Sequence, residues 1–139
     1  MRACLKPQLE PNVPEEIAFL FEVARGSMVY GMFFLPLASL ATEQGFRVLE
    51  AGARHRCKQL GLLKKKSGKS KVLPDISFAD LIAALGQYSK IPDGDLHAWK
   101  SMVFLRNRFS HHTSQTIRSR QDAIEQLAYV AELLNRLFK

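Results

Sequence analysis

The recurrence of apolar residues at every third or fourth position constrains the fold of this chain more than any other feature. The clearest example lies near the end of the chain, at Ile124, Leu127, Ala128, Ala131, Leu134, Leu137 and Phe138. This spacing places apolar side chains on one face of an α-helix, whereas a half-buried strand alternates apolar and polar residues. No segment shows sustained alternation with β-branched residues. The pattern therefore predicts an all-α protein.

Helix boundaries follow from the same pattern and from the polar residues beside it. Helices are predicted at about 14–25, 35–60, 77–88, 96–110 and from 116–119 to the end. Gly26-Ser27 is expected to break or kink the first of them. Ser77 with Asp80, and Ser119 with Asp122, are typical of capping boxes at helix starts. The connections predict an antiparallel up-and-down helical bundle of four main helices plus one short helix.

Length and cysteine content indicate the class of protein. The 139 residues fit a single domain over 1–139, in which 1–13 form a mobile or loosely docked lead. Two cysteines, Cys4 and Cys57, make no disulfide framework, which favours a reducing cytoplasmic environment. The first residues lack the apolar core of a signal peptide. The apolar run Met28–Ala41 is too short for a membrane span, which takes about 20 residues, so no membrane partner is expected.

Positive charge points to an acidic partner. The formal net charge is +7, and residues 51–73 contain no acid. Cations here would contact a phosphate backbone without reading its sequence. The alternative is a solvated, flexible loop at 64–71 that only keeps the protein soluble. The predicted RNA-binding cations are Arg54, Arg56, Lys58, Lys64, Lys65, Lys66, Lys69, Lys71 and, further along, Arg108.

One stretch, Leu105–His112, concentrates groups that bind phosphate and transfer protons. It contains Arg106, Asn107, Arg108, Ser110, His111 and His112. An imidazole suits proton transfer at neutral pH, and a guanidinium binds phosphate without losing its charge. Arg106 and His111 are five positions apart, about 140° on an ideal helix, so they converge only if the helix ends near Ser110. The alternative is a solvated helix end whose cations favour the helix dipole.

The pattern Arg106-Asn107-x-x-x-His111 resembles the Arg-x(4–6)-His motif of HEPN domains. These domains are small all-α bundles, and many are metal-independent ribonucleases that act as homodimers. The resemblance implies that Arg106, Asn107 and His111 are catalytic, with Ser110 and His112 in support. His112 also falls within the allowed spacing.

A second pattern, Glu43-x-x-x-Arg47, resembles the Glu-x-x-x-Lys/Arg pattern on the preceding helix of some HEPN families. The resemblance implies that this pair faces the Arg/His site. The alternative is an exposed salt bridge between positions i and i+4, which contributes about 0.3–0.5 kcal/mol.

The function implied by the resemblance is an endoribonuclease without metal or cofactor. His111 would transfer a proton, Arg106 would stabilise the phosphate and Asn107 would orient one of them, giving a 2′,3′-cyclic phosphate. In one interpretation the protein is the toxin of a toxin–antitoxin pair. The alternative is a non-catalytic HEPN-like dimeric module that binds nucleotide, RNA or a protein partner such as a nucleotidyltransferase. Spacing argues against a zinc site built from His55, Cys57 and the two later histidines.

Overall fold

A computed structural model describes residues 6–62, 76–110 and 119–139, together with Arg2. Its helices are α1 (Glu15–Gly31), α2 (Pro36–Gln59), α3 (Phe78–Gln87), α4 (Asp93–Ser110) and α5 (Arg120–Leu137). Over these ranges the chain forms no β-strand. The predictions of an all-α fold and of four main helices with one short helix are confirmed.

Helix α1 is longer than predicted, because it continues through Gly26-Ser27 to Gly31. A single glycine in a helix costs about 1 kcal/mol, and burial of Ala24 and Met28 on either side offsets that cost. The helix ends where the chain must turn tightly into α2. A Cβ on Gly31 would lie 2.8 Å from the backbone nitrogen of Ala38, so this corner requires glycine.

Local signals place the other helix starts well. The hydroxyls of Ser77 and Ser119 each accept a hydrogen bond, at 3.1 Å, from the backbone N–H three residues later. These contacts satisfy N–H groups that have no partner inside the helix. Pro36 occupies the first turn of α2, where a missing N–H costs nothing. Helix α4 begins at Asp93, and Asp93 and Asp95 both lie in its first turn.

Helix α2 is the central element and packs against each of the other four helices. Its contacts with α4 run in opposite directions along the two helices: Phe46 stacks on Phe109, whereas Glu50 contacts Arg106. Helices α2 and α4 are therefore antiparallel.

The contacts between α2 and α5 run in the same direction along both helices. Gly45 lies against Leu127, and Gly52 lies against Leu134. Helix α5 is thus parallel to α2, and the order α1, α2, α4, α5 is up-down-up-down. The buried core lies along this seam and includes Trp99 at the start of α4.

Residues 6–13, part of the predicted lead, are docked on the bundle. The backbone N–H of Glu10 donates to Asn135 Oδ1 at 2.8 Å, and Asn12 Nδ2 donates to the carbonyl of Phe138 at 2.7 Å. Pro7 and Val13 are buried. These partners lie more than 120 residues away in the sequence, so no local pattern predicts them.

No helix in the described ranges is long and apolar enough to cross a membrane.

Candidate functional site

Glu50 is the centre of a small charged cluster on α2. Its Oε1 lies 3.1 Å from Arg54 Nη2, and its Oε2 lies 3.1 Å from Arg106 Nη2. The Glu50 side chain is only 20% exposed, so salt screens these contacts less than it screens a surface pair. The guanidiniums of Arg54 and Arg106 share this carboxylate.

Arg54 is the fixed member of the cluster. It lies one helical turn after Glu50, a spacing at which side chains on a helix meet. Its Nη2 also donates to the carbonyl of Ile76, at 3.0 Å, just before α3. Arg54 therefore connects the charged cluster to the start of another helix.

Arg106 reaches Glu50 from α4 and keeps part of its guanidinium accessible. Its side chain is 37% exposed. Its Nη1 donates to Asn107 Oδ1 at 3.3 Å. A guanidinium has five N–H donors, so these two contacts leave donors for an anion. Nearby, Phe109 stacks on Phe46 with ring centroids 5.8 Å apart, which attaches the last turns of α4 to α2.

The other predicted residues of this stretch differ in position. The Ser110 hydroxyl donates to the Arg106 carbonyl at 3.0 Å, so it is used within its own helix. Asn107 and Arg108 are exposed in the last turns of α4. His111 and His112 lie outside the described residues.

The predicted pair Glu43–Arg47 differs from what either interpretation expects. Both residues are exposed, and in the described structure no ion pair joins them. The acid–base pair that faces Arg106 is Glu50–Arg54, seven residues (about two turns) later on α2. Sequence reasoning missed Glu50, although it has the same i,i+4 spacing and stands between Leu49 and Ala51, where a carboxylate needs a partner.

A groove of about 980 Å³ lies between α1 and α2, and Glu50 belongs to its lining. Arg47, Arg54 and Lys58 line it as well, at intervals of seven and four residues along one face of α2. The groove therefore unites Arg47, predicted as a supporting residue, with two of the predicted RNA-binding cations.

The remaining predicted RNA-binding residues are not in this groove. The guanidinium of Arg56 lies 5.9 Å from the centroid of the Phe138 ring, and its Nη1 donates to Gln59. Packing on α5 thus accounts for Arg56. Five cations, Lys64, Lys65, Lys66, Lys69 and Lys71, lie outside the described residues.

Cys57 is buried, and its surroundings favour the neutral thiol. Burial raises the pKa of Cys57 from 9.0 to about 11, against a smaller lowering effect of Arg54. The thiol donates to the carbonyl of Leu81, at 3.6 Å. A thiol in this state is a poor nucleophile and a poor metal ligand. The described residues contain no group of three or more His, Cys, Asp or Glu that could hold a metal ion.

Comparison of the chain with protein-family models, with curated proteins and with solved structures gives no match.

Proposed function

We propose that this protein is a metal-independent endoribonuclease of the HEPN type. The observation that carries the proposal is the position of Arg106, a partly exposed guanidinium held by Glu50 with Asn107 at its side. Held in this way, the guanidinium loses little orientational freedom when it binds a phosphate. The partly exposed positive charge of Arg106 favours an anionic substrate.

The proposed reaction is an attack of a ribose 2′-oxygen on the adjacent phosphorus. His111 takes the proton from the 2′-hydroxyl, and the new P–O bond forms as the bond to the 5′-oxygen breaks. Arg106 stabilises the negative charge that builds up on the phosphate oxygens. The leaving 5′-oxygen takes a proton from the second His111 of a dimer. The products are a 2′,3′-cyclic phosphate and a free 5′-hydroxyl.

The proposal includes a homodimer, which an exposed aromatic surface at the end of α1 supports. Tyr30, Phe33 and Phe34, in the last turn of α1 and just after it, are 60–74% exposed. Large exposed apolar side chains grouped in this way are typical of a surface that contacts a partner. Arg120 Nε donates to the carbonyl of Gly31, at 2.9 Å, so the start of α5 lies beside this surface.

The test is cleavage of single-stranded RNA in EDTA, with products identified by mass spectrometry. Wild type should yield 2′,3′-cyclic phosphate ends, and both His111→Ala and Arg106→Ala should lose cleavage at least a hundredfold. His112→Ala is the matched control and should stay active. Cleavage that requires added divalent ions would contradict the mechanism, and an inactive His112→Ala beside an active His111→Ala would reassign the proton transfer. Light scattering should give twice the chain mass.

A second candidate is the non-catalytic HEPN-like module, and the Glu50–Arg106 contact also favours it. An arginine whose guanidinium joins two helices has a structural use that needs no substrate. This candidate predicts that wild type cuts no RNA and that Arg106→Ala lowers the melting temperature or separates the dimer. Its partner would be nucleotide, RNA or a protein such as a nucleotidyltransferase. Co-purification with the product of an adjacent antitoxin-like gene would favour the toxin interpretation of the active enzyme.

A further inference from the structure

The groove between α1 and α2 has the composition of a site for a single nucleic-acid strand. Its floor includes Ile17, Leu20 and Ala51, all apolar. Its volume, about 980 Å³, is large enough for more than one nucleotide. Proteins bind single strands through side chains that stack on or contact the bases, most often rings, and through cations that contact the phosphates. The His55 ring and the apolar side chains of the lining supply the first requirement.

The cations of the groove supply the second requirement. Of the two acids in its lining, Glu50 pairs with two arginines, and Glu16 contacts the ring of His55. Arg47 and Lys58 are exposed, and neither has an ion-pair partner in the described part of the chain. With His55 neutral, the lining has three cations, Arg47, Arg54 and Lys58, against two carboxylates, Glu16 and Glu50, so positive charge is in excess. An acidic occupant would contact Arg47 and Lys58.

Arg47 and Lys58 also have a geometry that suits an extended strand. They are eleven residues apart on α2, which is about 16 Å along the axis and nearly the same angular position. Arg54 lies between them on the same face. A row of cations along one side of an apolar floor can contact the repeating phosphates of a strand. A single small anion would contact only one of these cations.

The groove adjoins the proposed reaction centre through Glu50. One carboxylate oxygen of this residue, which lines the groove, lies 3.1 Å from Arg106 Nη2. A strand whose phosphate reaches Arg106 therefore has the groove directly beside it.

We propose that the α1–α2 groove binds the single-stranded RNA that flanks the phosphate at Arg106, with Arg47 and Lys58 contacting its phosphates. This inference rests on the proposed ribonuclease function, which it extends with a substrate class: unpaired RNA longer than the cleaved dinucleotide. A duplex is excluded as occupant, because bases that lie on the floor of the groove must be unpaired.

The test is fluorescence anisotropy with a labelled 2′-O-methyl RNA decamer, which lacks the 2′-hydroxyl and cannot be cleaved. Arg47→Gln with Lys58→Gln should weaken binding about tenfold at 0.15 M salt and should reduce the slope of log K against log salt by about 1.4. Lys90→Gln is the control, because it removes an exposed cation outside the groove. All three positions are exposed, so the variants should fold.

Two further ligands test the occupant. An abasic decamer should bind several-fold more weakly than the decamer with bases, since it cannot use the apolar floor. Poly-glutamate that binds as tightly as RNA, with the same dependence on Arg47 and Lys58, would show that the groove accepts acidic protein and would overturn the RNA assignment. A double variant that behaves like Lys90→Gln would also overturn it.

Cleavage measured in parallel separates this inference from the function on which it rests. The double variant should raise KM for a cleavable decamer about tenfold and leave KM for a dinucleotide unchanged, because the dinucleotide does not reach the groove. Loss of decamer binding in a protein that cuts no RNA would support the groove and reject the ribonuclease. If the protein cleaves RNA and all variants have equal KM values, the ribonuclease is supported and the groove assignment is rejected.

Discussion

The two sides of α2 are held to their neighbours by different forces. Towards α5 the helix is closed by apolar packing, so tight at Gly52 that a Cβ there would lie 2.5 Å from Leu134 Cδ2. Towards the last turns of α4 it is more open, and the contacts there include one stacked aromatic pair and the ion pair of Glu50 with Arg106. The closed side carries the stability of the bundle, whereas the open side carries its accessible charge.

The largest expected effect comes from opening the closed side. Leu134→Ala should lower the free energy of unfolding by about 2–5 kcal/mol, because it leaves a cavity in a fully buried seam. Leu105→Ala, the same change at a partly buried position on α4, should lower the free energy of unfolding by about 1 kcal/mol. Urea denaturation followed by circular dichroism measures both. Equal losses for the two variants would mean that the two sides do not differ as described.

A smaller effect is expected when the ion pair on the open side is broken. Glu50→Gln should lower the free energy of unfolding by about 1–2 kcal/mol, between the values for exposed and fully buried pairs. The matched control is Glu43→Gln on the same helix, exposed and without an ion-pair partner in the described structure, which should stay within about 0.5 kcal/mol of wild type.

Salt and activity sharpen the test at Glu50. Raising the salt concentration should narrow the stability difference between wild type and Glu50→Gln, because part of it is a charge interaction. If the protein is the proposed ribonuclease, Glu50→Gln should also slow cleavage more than it destabilises the fold, since it frees Arg106 to move. An unchanged cleavage rate would show that Glu50 does not position Arg106.

Features that depend on neighbouring residues could be predicted from the sequence. The hydroxyls of Ser77 and Ser119 act on N–H groups three residues away, so the starts of α3 and α5 follow from local chemistry. The apolar periodicity likewise predicts the helices and the buried face of α5. The same reasoning predicts a break or kink at Gly26, but α1 continues through it, because packing on both sides of Gly26 outweighs its weak helix propensity.

Features that depend on distant residues could not be predicted in this way. Glu43 and Glu50 have the same spacing from an arginine, and only the packing of α4 on α2 distinguishes them. The docking of residues 6–13 depends on Asn135 and Phe138, at the other end of the chain. The sequence motif predicts that Arg106 and Asn107 act together. The carboxylate that contacts Arg106 belongs to another helix, so only the folded structure identifies it.

The smallest expected effect concerns the ionisation of Cys57, a buried thiol on α2 that contrasts with the charged Glu50 seven residues earlier. The pKa of Cys57 is raised from 9.0 to about 11 in the folded protein, chiefly by burial. As pH rises above about 9, the thiol of the unfolded chain loses its proton while the folded thiol keeps it, so the unfolded state gains stability. The free energy of unfolding should therefore fall with rising pH in this window.

The measurement compares wild type with Cys57→Ala, both carrying Cys4→Ser so that Cys57 is the single thiol in question. Between pH 8 and pH 10 the wild type should lose about 1 kcal/mol more than the alanine variant, while lysine and tyrosine titrations cancel in the difference. Parallel curves would mean that the folded thiol ionises as easily as the unfolded one. In that case water reaches Cys57, and the packing around it, including the contact of α2 with α3 at Leu81, is less tight than the burial of this thiol indicates.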